Sequence, residues 1–171
     1  MSVETHGDGT LAANGARLPD PEPLPAGTRI AIVVSRYHSN VTQHLLDGAL
    51  EAARARGADP DIILSPGAFE LGILSLAAAR TGRYAGVAAL GCVIRGETSH
   101  YDYVCSECAR GILSAGLETG VPVAFGVVTT ETPEQAFARA GGTAGNKGYE
   151  AVETVLDTAA ELAAVRVGSQ A

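Results

Sequence analysis

Apolar and polar stretches alternate along the chain from Thr28 onward. Four apolar runs predict β-strands, at residues 30–34, 62–64, 87–94 and 121–128. Continuous runs of this kind are typical of strands that are covered on both faces of a sheet. The other segments have apolar residues at helical spacing and predict helices at residues 40–57, 68–80 and 100–119, a short helix from 133, and a last helix over about 149–165.

The residue types at the segment ends support these boundaries. We predict Asn40 as the N-cap of the first helix. Thr132, followed by Pro133 and Gln135, is predicted as the N-cap of the fourth helix. A glycine-rich break at residues 141–148 separates the last two helices.

Strands that alternate with helices need crossover connections, which join parallel strands. The predicted fold is therefore α/β, a flavodoxin-like three-layer arrangement with a mainly parallel four-stranded sheet flanked by helices. We expect residues 28–171 to form one domain. Residues 1–27 have proline at every second position from 19 to 25 and are predicted to be a flexible tail. A docked, extended segment is the alternative.

The composition limits the classes of partner. The chain has 171 residues, 46% of them hydrophobic but only 5% aromatic. Its net charge of −7 argues against nucleic acid and against an anionic membrane as partners. No apolar run is long enough to span a bilayer, and residues 1–27 lack a signal-peptide core. Three cysteines, an odd number, do not suggest a disulfide framework and favour a cytoplasmic location.

Polar residues gather where the predicted strands end, at residues 35–40, 65–70, 95–100 and 129–131. Ligands of open α/β sheets bind outside the carboxyl ends of the strands. The third of these segments has the most candidate chemistry. Gly96 allows close approach of a ligand to the backbone, Thr98 adds a hydroxyl, and a helix N-terminus favours an anion such as phosphate.

His100 lies in the first turn of that helix and is a candidate for proton transfer near neutral pH. The alternative is an ordinary helix start with an exposed histidine. Glu70 is a candidate ligand for a substrate, although a carboxylate in a first helical turn is also favoured by the helix dipole alone. Tyr37 could stack on a flat heterocycle or simply cover the sheet edge.

Arg139 and Lys147 lie on either side of the glycine-rich break and could hold a phosphate together. An arginine in the last turn of a helix is also common. Cys105 and Cys108 form a C-x-x-C pair, but inside a predicted helix rather than at its start. Redox or metal chemistry is therefore the weaker interpretation, and buried small residues the stronger one.

Four ordered segments resemble the lumazine synthases, at residues 66–71 (PGAFEL), 89–104 (ALGCVIRGETSHYDYV), 120–130 (GVPVAFGVVTT) and 144–148 (AGNKG). The resemblance covers about residues 28–163. It implies the penultimate step of riboflavin biosynthesis, in which 5-amino-6-ribitylaminouracil and 3,4-dihydroxy-2-butanone 4-phosphate condense. The products are 6,7-dimethyl-8-ribityllumazine, phosphate and water, and the resemblance implies neither a cofactor nor a metal.

The resemblance also implies roles for individual residues. His100 would transfer protons and Tyr37 would stack on the pyrimidine. The remaining substrate-binding residues would be Ala68, Phe69 and Glu70 at the uracil and ribityl chain, Val93 and Ile94 at the ring, Gly96, Glu97 and Thr98 with Arg139 at the phosphate, Phe125 as a wall, and Lys147 as a further polar contact.

Three positions differ from the usual pattern of the family. His38 stands where asparagine is common, Gly72 where proline is usual, and Gly142–Thr143 where threonine and lysine are frequent. These positions are the only support for an alternative, a catalytically weak flavin- or lumazine-binding shell-forming paralogue. A third alternative, a phosphate-regulated flavodoxin-like signalling domain, leaves Glu70, Arg139 and Lys147 without a joint purpose.

The resemblance implies a homo-oligomer as well. We expect a pentamer with sites between neighbouring subunits. Residues 141–148 lack the insertion seen in members that form only pentamers, which favours an icosahedral shell. Riboflavin synthase, which acts on the product, is a further expected partner.

Overall fold

The computed structural model describes residues 21–168. The strands and helices in chain order are β1 (Arg29–Ser35), α1 (Ser39–Ala55), β2 (Asp59–Ser65), α2 (Leu71–Arg80), β3 (Val87–Ile94), α3 (His100–Thr119), β4 (Val123–Thr130), α4 (Pro133–Arg139), β5 (Ala140–Gly142), β6 (Gly145–Asn146) and α5 (Lys147–Gly168). No helix among the described residues is long and apolar enough to cross a membrane.

The main sheet has four parallel strands in the order β2-β1-β3-β4. Alternate residues of β1 face opposite sides: Ile30 and Ile32 pack with α1 and α5, whereas Ala31 and Val33 pack with α2 and α3. Burial on both faces explains why the strand is a continuous apolar run. The predicted three-layer α/β fold is confirmed.

The strand order reverses direction between β1 and β3. The connection from β1 leads outward to β2 on one side, and the connection from β3 leads outward to β4 on the other. A crevice forms at such a point, outside the carboxyl ends of the strands. The loops that follow β1, β2 and β3 therefore lie around one position.

Several element boundaries differ from the predictions. The N-cap of α1 is His38, not Asn40, which lies inside the first turn. The second helix starts at Leu71 rather than 68, and Glu70 is its N-cap rather than a first-turn residue. The fourth strand is displaced from 121–128 to Val123–Thr130, because Pro122 precedes the paired segment and register with β3 continues to Thr130.

The predicted break at residues 141–148 is partly ordered. It contains the short antiparallel pair β5–β6, and α5 already begins at Lys147. The side chain of Asn146 starts this helix, since its Oδ1 accepts hydrogen bonds from the backbone N–H groups of Gly148 (2.9 Å) and Tyr149 (3.2 Å).

The predicted start of α4 is confirmed. The Thr132 hydroxyl accepts a hydrogen bond from the Gln135 N–H at 3.3 Å, and Pro133 is the first helical residue. The Gln135 side chain in turn accepts a hydrogen bond from the Glu131 N–H at 2.9 Å. These contacts fix the turn that connects β4 to α4.

Close packing of α2 against α3 explains why position 72 is a glycine. A Cβ there would lie 2.9 Å from the Cα and carbonyl carbon of Gly111, so α2 and α3 touch backbone to backbone. A proline at position 72 would be tolerated by the first turn of a helix but not by this contact.

The tail prediction concerns residues 1–27, and residues 1–20 lie outside the described part of the chain. Leu24 packs against the core, and the Gly27 N–H donates a hydrogen bond to the Gly57 carbonyl at 2.7 Å.

Candidate active site at the carboxyl ends of the strands

A cavity of about 730 Å³ opens at the reversal point of the sheet. Most of the predicted site residues line it, namely Tyr37, Ala68, Phe69, Glu70, Val93, Ile94, Gly96, Thr98 and His100. Residues from the ends of three strands thus meet at one place, as the position of the polar segments predicted.

Tyr37 and His38 form the wall that follows β1. The Tyr37 ring is 67% exposed and meets the His38 ring edge to face, with 4.6 Å between the centroids. The Tyr37 N–H donates a hydrogen bond to the Ser35 hydroxyl at 3.2 Å. His38 holds a left-handed backbone conformation, with φ of 55°. An exposed, fixed aromatic face suits stacking against a flat heterocycle.

The turn after β2 supplies the opposite wall. The Ser65 hydroxyl donates a hydrogen bond to the Gly67 carbonyl at 2.7 Å, which holds the turn closed. The Glu70 carboxylate folds back over this turn, and a Cβ at Gly67 would lie 3.0 Å from its Oε2. Phe69 is 56% exposed at the cavity, whereas Ala68 is buried. The carboxylate therefore borders the same space as an apolar ring.

The floor of the cavity is the end of β3. Val93 is buried and Ile94 half-buried there, and both line the cavity. Sequence reasoning missed other lining residues, namely Gly67, Cys92, Tyr101 and Val104, and left His38 without an assigned role. Helical spacing could have found Val104, because a residue four positions after His100 lies on the same face of α3.

The loop between β3 and α3 is exposed from Gly96 to Ser99. Ser99 is the N-cap of α3, but its side chain makes no capping hydrogen bond. The His100 N–H faces the Thr98 hydroxyl oxygen at 3.4 Å. The start of a 20-residue helix thus borders the cavity together with the His100 side chain. Glu97 is exposed but does not line the cavity.

Arg95 fixes the base of this loop. Its guanidinium lies 2.9 Å from Oδ1 of Asp102 and 2.9 Å from Oε2 of Glu131. The guanidinium carbon also lies 4.1 Å from the centre of the Tyr101 ring. The hydrogen bonds that Arg95 donates to these carboxylates raise its pKa above the usual value, Asp102 contributing most and Glu131 next. The loop is therefore anchored to α3 and to the turn after β4.

The other predicted residues, Phe125, Arg139 and Lys147, lie in a separate pocket of about 470 Å³. Within one chain the structure does not bring them to the first cavity. Residues from both faces of the edge strand β4 line this second pocket, so it lies along the outer edge of the sheet. Lys147 Nζ is 2.5 Å from Oε2 of Glu150, and Arg139 is exposed at the end of α4.

The cysteines have the properties of packing residues. Cys92, Cys105 and Cys108 are free thiols, and Cys92 and Cys108 are buried. Burial raises the pKa of Cys92 to about 11 and that of Cys108 to about 12, so the reactive thiolate is disfavoured. Within residues 21–168 no three His, Cys, Asp or Glu side chains are grouped so that they could hold a metal ion.

Comparison with known proteins agrees with the sequence resemblance. A family model described as 6,7-dimethyl-8-ribityllumazine synthase matches residues 27–163. A protein of Caulobacter vibrioides named 6,7-dimethyl-8-ribityllumazine synthase 1 is 50% identical over 145 residues, which are 83% of this chain and 95% of that protein. With the cavity at the ends of β1, β2 and β3, these matches show that the chain belongs to the 6,7-dimethyl-8-ribityllumazine synthase family.

Proposed function

We propose that the cavity at the reversal point is where 5-amino-6-ribitylaminouracil and 3,4-dihydroxy-2-butanone 4-phosphate condense to 6,7-dimethyl-8-ribityllumazine, the transferase step of riboflavin biosynthesis. The observation that carries this assignment is the meeting of an exposed aromatic face, a carboxylate, a histidine and a helix N-terminus around one cavity. Nothing in the comparisons favours a catalytically weak paralogue.

The pyrimidine end of the cavity is built from apolar and aromatic groups. We assign the stacking face to Tyr37, and the surfaces around the ring to Phe69, Val93 and Ile94. The Glu70 carboxylate, with the backbone of Ala68, is assigned to the polar groups of the uracil and its ribityl chain. Exposed ring area at Tyr37 and Phe69 supports this assignment, since both lack a covering side chain in the single subunit.

The other end of the cavity suits an anion. The backbone N–H groups from Gly96 to Thr98 directly precede Ser99, the N-cap of α3, near the helix end whose dipole favours negative charge. We assign the phosphate of the second substrate to this loop, with Glu97 contributing through its backbone. Fixed N–H donors can stabilise the charge that the leaving phosphate acquires.

His100 is assigned the proton transfers. The amine of the uracil adds to the ketone of the second substrate, and water leaves as the imine forms. The phosphate then leaves with the electrons of its C–O bond, and the ribityl-bearing nitrogen attacks the remaining carbonyl carbon, so that ring closure releases a second water and gives the lumazine. Each step moves a proton between nitrogen, carbon or oxygen atoms, which suits an imidazole at the boundary between the two ends of the cavity. Holding both substrates together supplies a large share of the rate.

We infer that a complete site needs two neighbouring subunits. The cavity of one subunit would meet the β4 edge of the next, which contributes Phe125, Arg139 and Lys147. Two observations support this arrangement. Arg139 is exposed and, in its own chain, lines the second pocket rather than the first cavity. The helices beside the cavity also carry exposed apolar side chains, with Ile73 68%, Leu113 63% and Leu117 76% exposed.

We propose a pentamer as the ring that closes these contacts, and a shell of pentamers as the larger assembly. The short β5–β6 connection, which lacks an insertion, supports the shell. Sedimentation that gives only free pentamers would exclude it. We also propose a cytoplasmic location, and an association with riboflavin synthase because that enzyme consumes the product.

The experiment is a turnover assay with both substrates and the purified chain. We expect the near-ultraviolet absorbance and green fluorescence of the product to appear. Tight binding of 6,7-dimethyl-8-ribityllumazine without turnover at generous enzyme concentration would instead support the paralogue.

A further inference from the structure

Arg95 joins the loop after β3 to the first turn of α3 and to the turn after β4. It directly follows β3 and precedes Gly96, and its backbone N–H donates a hydrogen bond to the Thr130 carbonyl at 2.9 Å. Its side chain is paired with Asp102 in the first turn of α3 and with Glu131 after β4, each at 2.9 Å. Its guanidinium carbon lies 4.1 Å from the centre of the Tyr101 ring, which lines the cavity.

The two carboxylates stand beside the loop that is assigned to an anion. Asp102 is in the first turn of α3, and Glu131 leads into α4. Without a counter-charge, both would repel a phosphate group bound at residues 96–98. An arginine remains protonated at all physiological pH values, and here it pairs with both carboxylates and halves their combined charge from −2 to −1.

We propose that Arg95 is a positioning residue for phosphate, which acts by offsetting part of the negative charge of Asp102 and Glu131 rather than by touching the phosphate itself. This inference rests on the proposed function of the cavity. The planar guanidinium suits the task, because it bonds two carboxylates through different nitrogens while its face lies against Tyr101. A lysine has a single compact ammonium group in place of the planar guanidinium that contacts Asp102, Glu131 and the Tyr101 ring.

Binding of inorganic phosphate, measured by calorimetry at low salt, tests the inference. Arg95→Gln should weaken phosphate binding roughly tenfold, and added salt should reduce that difference because it screens the exposed carboxylates. Binding of 6,7-dimethyl-8-ribityllumazine, measured by fluorescence, should change less than about twofold, since the ring and ribityl contacts lie elsewhere. Arg95→Lys should recover part of the phosphate affinity.

A charge-rescue variant separates charge balance from simple structural support. Adding Asp102→Asn and Glu131→Gln to Arg95→Gln removes every charge of the cluster, and phosphate affinity should return to within about threefold of wild type. A purely structural arginine would not be rescued, because this triple variant lacks all the ion pairs. Unchanged phosphate affinity in Arg95→Gln, or no recovery in the triple variant, would overturn the inference.

Two controls keep the test decisive. Should Arg95→Gln fail to fold, the double variant Asp102→Asn with Glu131→Gln retains Arg95 and should bind phosphate at least as tightly as wild type. Weaker binding by a folded double variant would contradict charge balance. If the wild-type chain binds neither phosphate nor the ribityllumazine, the proposed function fails instead, which is a different result.

Discussion

The Asn146 side chain fills the space that a side chain at Gly48 would need. A Cβ at Gly48 would lie 2.3 Å from Cγ of Asn146. The amide of Asn146 is held there from both ends, because its Nδ2 donates to the His44 carbonyl at 2.9 Å and its Oδ1 caps α5. This contact locks α5 against α1 at the residue that precedes Lys147.

Gly48→Ala should therefore destabilise the chain. The methyl group must displace an amide that makes several hydrogen bonds, and overpacking of this kind costs about 1–3 kcal/mol. Alanine gains about 1 kcal/mol of helix propensity over glycine, which offsets part of that cost. Denaturant unfolding measures the net change, and Gly116→Ala is the control, because a Cβ there meets its nearest neighbour at 3.4 Å. Equal stability changes at the two positions would contradict the packing explanation.

His38→Asn should stabilise the fold. The left-handed conformation at φ of 55° is strained for most side chains but is well tolerated by asparagine. We expect a gain of roughly 0.5–1 kcal/mol in the free energy of unfolding, whereas His38→Val should lose stability because β-branched residues rarely adopt this conformation. Thermal unfolding of both variants is the measurement. A stabilising valine would show that the left-handed turn is not retained.

The fold was predictable because its main signals are local. Continuous apolar runs and helical spacing located every strand of the main sheet and the principal helices, and Thr132 marked its helix start correctly. The first helix start was misplaced because the backbone takes an unusual local conformation there. The chain turns at His38 in a conformation for which histidine is not a strong signal, so the better capping residue, Asn40, was chosen.

The site was predictable only in part. The sequence places Tyr37, Glu70 and His100 at strand ends, and the structure brings these three residues to one cavity. Contacts that depend on distant chain segments were not visible in the sequence, among them the pairing of Arg95 with Glu131 and the contact of Asn146 with α1. The distance of Arg139 from the first cavity likewise follows only from the sheet order, which places β4 at an edge.

Acid sensitivity should depend on the Tyr84–Asp61 hydrogen bond. The Tyr84 hydroxyl donates to the Asp61 carboxylate at 2.7 Å, and this bond, with Arg29 nearby, holds the pKa of Asp61 below its ordinary value of 3.8. Because the pKa is lower in the folded state, the ionised Asp61 carboxylate stabilises the fold at pH values above 3.8. This contribution is lost as the pH falls through the folded-state pKa. Tyr84→Phe should therefore reduce the free energy of unfolding at pH 6 more than at pH 3.

Urea unfolding at both pH values measures this difference, and phenylalanine preserves the packing of a ring that is 6% exposed. The control is the same Tyr84→Phe change made in an Asp61→Asn protein, which lacks the titrating carboxyl group. A Tyr84→Phe effect of the same size at pH 3 and pH 6 would show that the hydrogen bond does not shift the pKa of Asp61.

Activity should return when His100→Ala and Arg139→Ala subunits assemble into the same pentameric ring. His100→Ala removes the proton carrier of the cavity and should slow turnover by about 10²–10⁴-fold, with ribityllumazine binding nearly intact. Arg139→Ala removes a cation from the β4 edge. If each site combines the cavity of one subunit with the β4 edge of the next, a mixed ring contains some sites in which both halves are unmodified.

Co-refolding the two variants in equal amounts gives random rings, in which roughly a quarter of the sites have both intact halves. Turnover at subsaturating substrate should therefore rise to about a quarter of the wild-type value. The double variant His100→Ala with Arg139→Ala, mixed with His100→Ala alone, is the matched control, because no pairing in that mixture supplies an intact histidine. Recovery in the first mixture, without recovery in the control mixture, means that each site is built from two subunits. A site built within one subunit leaves both mixtures as slow as their parents, since every subunit then carries its own defect.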